Sequence, residues 1–299
     1  MGVQGIVFGS KEERRYFYKL QKTWGKKLNI YHNIPFLNVF TARVELIDES
    51  GNIFKISEDE FDKLKKTSID FVVCDKKDKP IVCIEFDGLL QGFNFGTNYI
   101  ISEDKTERKG RKEFFKLKLR VAHGSLFPYF ILGSEQFKGI SGSVYLTIAD
   151  AIIGEVLSTQ EHIKRINSGF IPAEFGYTEE EFENLDEEKK RVIIEDWCLN
   201  IEIEADYNNN PIFQKVAELM KETKSSGYRI TFLNENERDS KIWTWVECEI
   251  ENLKHGNASA KIYLPNFNTP SCYFTTHIAI EIAQLLALSQ IKERKNHHQ

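Results

Sequence analysis

The chain has 299 residues, a formal charge of -5, 41% hydrophobic and 28% charged residues, enough apolar material for a core and more length than one small domain needs. No run approaches the roughly 18 consecutive apolar residues of a membrane span, and charge from Lys11 to Arg15 interrupts any export signal, so the reading is a cytoplasmic protein without a membrane partner. The negative balance excludes a protein that coats nucleic acid non-specifically, and five scattered cysteines without CxxC spacing read as free core thiols.

Ser10, followed by Glu12 and Glu13, predicts an N-capped helix to about Trp24, with Tyr16, Phe17 and Leu20 as its apolar stripe. Residues 44–56, broken by Asp48, Glu49, Ser50, Gly51 and Asn52, read as a hairpin, and 58–65 as a short helix. Runs 69–74 and 81–86 are rich in Val and Ile and too short for helices, so they predict buried strands joined by the polar turn 75–80. The glycine-rich stretch 88–96 reads as a loop able to admit a substrate backbone, with Gln91 as a contact candidate. Residues 105–120 predict a basic helix. Lys112, Lys116 and Arg120 lie along one stripe and Phe115, Leu119 and Ala122 face the core. An apolar strand at 128–132 and a helix at 149–157 close this first unit, residues 1–157.

Beyond residue 158 the chain turns acidic. Residues 178–190 read as a solvated face, and two helices between 194 and 220 are split by Asn208, Asn209, Asn210 and Pro211, a strong turn signal. Strands follow. In 242–250 the even positions (Ile242, Thr244, Val246, Cys248, Ile250) form an apolar face, and the odd ones carry Trp243 and Trp245. Those rings are expected to lie under the final helix, 276–292, with base stacking as the alternative. Residues 1–157 hold 24 Lys and Arg against 21 Asp and Glu, or +3, and residues 158–299 hold 16 against 24, or -8. A phosphate-binding site is therefore expected in the first unit, and recognition, docking to a protein partner, self-association or fold completion in the second.

The chemistry concentrates in the strand pair. Side chains two apart on a strand share a face, so Glu85 and Asp87 point together, and Asp70 from the other strand can complete a three-carboxylate cluster. Buried acids that close repel one another unless protonated or bound to a cation, and hard oxygen ligands favour Mg2+, Mn2+ or Ca2+ over zinc. The alternative is that these are solvated turn acids. A basic helix carrying Arg108, Lys109, Arg111 and Arg120 after acidic strands suits a phosphate ester held between a cation and basic groups; the alternative is a solvated charged face.

At these residues the chain resembles the PD-(D/E)XK nuclease superfamily, in which a hairpin carries an Asp and then Glu-x-Lys and a helix packs behind. Here the motif reads Asp70, then Glu85, Phe86 and Asp87, within an Ile-Glu-x-Asp-Gly segment (Ile84 to Gly88) like that of an uncharacterised bacterial branch. The resemblance spans residues 10–157 and implies an α/β (α+β) fold, a mixed sheet flanked by helices, followed here by an α+β C-terminal domain. It implies a Mg2+-dependent or Mn2+-dependent nuclease, acting on DNA rather than RNA, with Asp70, Glu85 and the Phe86 carbonyl as ligands, Asp87 adding a ligand or ordering water, and Glu13 facing the metal from the first helix. A helix-start role is the alternative for Glu13. The motif lysine is missing because Asp87 stands in its place, so Lys116 or Lys112 is the expected substitute. If neither reaches the site, a nucleic-acid-binding module without turnover, or an interaction subunit of a bacterial complex, are the other readings.

Overall fold

A reciprocal cap starts the first described helix. The Ser10 hydroxyl accepts the Glu13 N–H at 3.0 Å while the Glu13 carboxylate accepts the Ser10 N–H at 3.2 Å, satisfying two donors that a helix start leaves open. The computed structural model describes residues 10–41, 46–47, 53–87, 93–94, 98–99, 105–133, 139–140, 146–232, 243–265 and 274–297. Helix α1 (Lys11–Trp24) buries Tyr16, Leu20 and Trp24, side chains four apart on one face.

Strand β1 (Asn29–Pro35), a single turn α2 (Phe36–Val39), a two-residue-per-strand hairpin β2 (Leu46–Ile47) and β3 (Ile53–Phe54), and helix α3 (Glu58–Lys65) lead into β4 (Ser68–Cys74) and β5 (Pro80–Asp87). A small pair, β6 (Phe93–Asn94) and β7 (Asn98–Tyr99), precedes helix α4 (Lys105–Gly124) and β8 (Tyr129–Gly133). The main sheet has the order β1-β4-β5-β8, antiparallel except for the parallel pair β5 and β8. A parallel pair needs a crossover, and α4 supplies it.

Both faces of this sheet are covered, which is why its central strands read as unbroken apolar runs. Phe71, Val73, Val82, Ile84, Phe86, Phe130 and Leu132 pack with α1. Val72, Cys74, Cys83, Tyr129 and Ile131 pack on the other side with Phe115, Val121 and Ala122 of α4. The fold is thus mixed α/β, as expected.

The C-terminal half begins inside helix α5 (Ile148–Asn167). This helix runs past the expected end near 157, because Thr147 and Asp150 cap its start reciprocally and no breaker follows until Ser168 and Gly169, the latter at φ +89°. A 3-10 turn (Pro172–Phe175), α6 (Glu179–Glu183), α7 (Glu187–Asn209), α8 (Pro211–Thr223), β9 (Gly227–Phe232), β10 (Trp243–Glu251), β11 (Ala258–Pro265) and α9 (Phe274–His297) complete it. The three strands form an antiparallel sheet, order β11-β10-β9. Asn210 explains the turn at 208–211. Its side-chain oxygen accepts the Ile212 and Phe213 N–H groups and its amide donates to both oxygens of Glu281 at 2.9 and 2.8 Å, while Pro211 sits in the first turn, where no N–H is needed.

Helix α9 is long and apolar enough to span a membrane by length and composition, yet 72% of that stretch is buried in the fold. It covers the even face of β10, where Val246, Cys248 and Ile250 are fully buried beside Ile278 and Ile282. The side chains of Trp243 and Trp245, for which cover by the final helix is expected, fall outside the described residues. One apolar cluster holds residues from both halves. Phe130 stacks on Phe274 with centroids 5.5 Å apart, and the Trp24 indole N–H donates to buried Asp150 at 2.8 Å.

Where α5, α7 and α9 meet, Glu155, Asp206 and Glu281 each place one oxygen within 4.8 Å of the others. Burial pushes Glu281 well above the usual carboxylate range and Asp206 up to about 6, with Glu155 repelling both. His277, bonded to Glu155 at 3.2 Å, is raised by that bond. Groups with raised folded pKa values support the fold fully below their unfolded values and lose that support as pH rises through the folded ones. The expected outcome is that stability in urea falls between pH 5 and 8 and that Glu281→Gln flattens this decline, so the variant gains on the wild type as pH rises; equal slopes would contradict the assignment.

Candidate metal centre

The strand register brings two acids face to face. Phe71 pairs with Ile84, so Asp70 stands opposite Glu85 at the next position, both on the α4 side of the sheet. The Asp70 carboxylate accepts the Phe86 N–H at 2.8 Å. Burial first, then the charge of Glu85, push Asp70 up to about 8, and a carboxyl–carboxyl hydrogen bond with Glu85 adds to this.

Glu85 is 3% exposed and Lys118, from α4, only 2%. The Lys118 ammonium donates to the Glu85 Oε1 at 2.5 Å and to the Ser68 carbonyl at 2.8 Å, and it lies 4.9 Å from the centre of the Phe114 ring. The Tyr129 hydroxyl, on the neighbouring parallel strand, donates to the same Glu85 oxygen. One oxygen of Glu85 is thus fixed by a cation and a phenol, in a setting where charge-assisted bonds are strong.

The described lysine that reaches the acids is thus Lys118, which differs from the expected Lys116. Lys116 is exposed and pairs with Glu113 at 3.8 Å, because its position on α4 faces solvent, while Lys118, two residues on, turns toward the sheet between buried Leu117 and Val121. The side chain of Lys112 lies outside the described residues, as do those of Arg108, Lys109 and Arg111, and Gln91 altogether. Arg120 lies on the outer stripe as expected and pairs with Glu60 of α3 at 2.5 Å. Lys118 stood in the basic run of the sequence, but a charged residue in a predicted solvated face gives no local sign of facing inward.

The expected cluster of three acids is also revised. Asp87 is 1% exposed at the end of β5, on the same side as Glu85, yet Asp70, Glu85 and Asp87 are not a trio within 4.8 Å; among the described residues that spacing belongs to Glu155, Asp206 and Glu281. Those three acids come from helices far apart in sequence, so no local spacing marks them. Glu13 caps α1 and its carboxylate bonds His32 of β1, close enough to Asp70 to help raise it. The two facing carboxyls are the kind of oxygen donor a hard divalent cation takes, and such an ion would have to displace the proton that burial and Glu85 favour on Asp70.

Removing one partner of a buried ion pair leaves the other charge uncompensated. Lys118→Met is expected to cost about 3–5 kcal/mol in chemical denaturation, against less than about 0.5 kcal/mol for exposed Lys116→Met; similar costs for the two would show that Lys118 does not hold the site.

A family described as a protein of unknown function (DUF2726) matches residues 6–114, which include α1, β4 and both facing acids but end short of Lys118. No curated protein and no solved structure matches the chain.

Proposed function

We propose that this protein is a metal-dependent nuclease, acting in the cytoplasm on DNA in preference to RNA. The observation that carries the reading is the juxtaposition of Asp70 and Glu85 on adjacent central strands with the Lys118 ammonium delivered from the crossover helix, which supplies the lysine that the motif lacks in sequence. Asp70 and Glu85 are the residues to hold Mg2+ or Mn2+, with Asp87 at the edge of the site. A divalent ion there supplies a Lewis acid that lowers the pKa of water and offsets charge on a phosphoryl oxygen. Lys118 and Tyr129 fix the Glu85 Oε1, and Lys118 would place positive charge beside a phosphodiester that gains negative charge on attack. The basic side chains of α4 suit the phosphate backbone.

A second reading rests on a specific observation: Lys118 is already satisfied by Glu85 and Ser68. A lysine held that tightly also suits a module that binds nucleic acid without cutting it.

Asp70→Asn separates the two readings. A proton-holding Asp70 is nearly isosteric with Asn, whose oxygen still accepts the Phe86 N–H, so the variant is expected to fold. Circular and linear DNA, and RNA, are incubated with wild type and variant in Mg2+, Mn2+ or EDTA. Metal-dependent cleavage that falls roughly 100-fold or more in Asp70→Asn is the expected result. Cleavage insensitive to the substitution would remove the mechanism, and salt-dependent binding without cleavage would select the binding module.

A further inference from the structure

Strand β9 is one of the two edge strands of the C-terminal sheet among the described residues. Its partners in β10 are Phe232 with Val246, Ile230 with Cys248 and Tyr228 with Ile250, and residues directly opposite in an antiparallel ladder share a face. Val246, Cys248 and Ile250 are fully buried under α9, whereas Tyr228 and Phe232 are each 56% exposed. The apolar face therefore continues one strand beyond its helical cover. Exposed apolar edge strands are hazards unless paired.

We propose that β9 pairs with β9 of a second copy of this chain, antiparallel about a two-fold axis at Ile230, joining the two three-stranded sheets into one of six strands. Closed two-fold pairing needs a self-complementary edge, and the sequence of β9 selects the register. Centred at Ile230, Tyr228 of one copy lies opposite Phe232 of the other, Ile230 meets Ile230, and Arg229 meets Thr231. Aromatic and β-branched cross-strand pairs of this kind are favourable. Centring at Arg229 would oppose two like charges, and centring at Thr231 would leave Tyr228 opposite no described residue of the partner strand. A slip by one residue would set the apolar face against the polar one. Arg229 is balanced within its own copy by Glu249, which faces it across the ladder, so the seam carries no unpaired like charge among these residues. Six residues of strand and two half-exposed rings per copy make a small interface, which suits association in the micromolar range.

The test is sedimentation equilibrium of the full chain from about 1 to 200 μM, spanning that range, with circular dichroism to establish that each variant folds. Wild type is expected to pass from monomer to dimer. Phe232→Glu alone, or Tyr228→Lys alone, is expected to weaken dimerisation at least tenfold, and the two together to restore it, since the new opposite charges face each other across the axis. A wild type that stays monomeric, a dimer that neither single substitution weakens, or a double variant that does not recover would each overturn the proposal.

Discussion

The buried pair between Glu85 and Lys118 is the constraint on which the N-terminal architecture turns. Neither charge survives alone in the interior without a large penalty, so α4 must lie across the sheet at the height and rotation that bring Lys118 to the end of β5. That placement in turn sets the crossover to β8 and puts the Tyr129 hydroxyl on the same carboxylate. Asp70, facing Glu85 from β4, meets a carboxyl rather than a cation, and the consequence is a proton retained on Asp70. The site is thus one charge-balanced unit of lysine, phenol and two carboxyls, held by four different elements.

The C-terminal half is coupled to that unit through shared burial. Helix α5 spans residue 157 and contributes to the apolar cluster that contains both β5 and α9. Its capping acid, Asp150, doubles as the acceptor for Trp24 of α1, so the start of one helix and the end of another are joined by a single carboxylate that burial pushes upward and hydrogen bonds pull back. Gly154 lets Asn210 approach α5, since a Cβ there would lie 3.0 Å from it, and Asn210 in turn holds Glu281 of α9. The three C-terminal helices are locked by polar groups at the point where carboxylates would otherwise separate them.

Local rules carried the elements well. Ser10 with Glu13 and the Asn-Pro step at 210–211 each mark a helix start by mechanisms confined to four residues, and the alternation of Val246, Cys248 and Ile250 reports a face directly. The facing of Asp70 and Glu85 was legible because a short turn fixes the partners of a hairpin. What a sequence alone hides is direction at longer range. Lys118 and Lys116 are two residues apart on one basic helix, and only the packing of Leu117 and Val121 against the sheet decides which turns inward. The cluster of Glu155, Asp206 and Glu281 joins residues more than fifty positions apart, and the cover of β10 by α9 depends on which side the final helix returns.

The most direct measurement is Mn2+ binding, by electron paramagnetic resonance of the free ion or by calorimetry, to wild type, Asp70→Asn and Glu281→Gln. The account predicts binding to wild type that Asp70→Asn weakens at least tenfold and that Glu281→Gln leaves unchanged. Binding retained in Asp70→Asn and lost in Glu281→Gln would contradict it, and would move the metal centre from the strand pair to the junction of α5, α7 and α9.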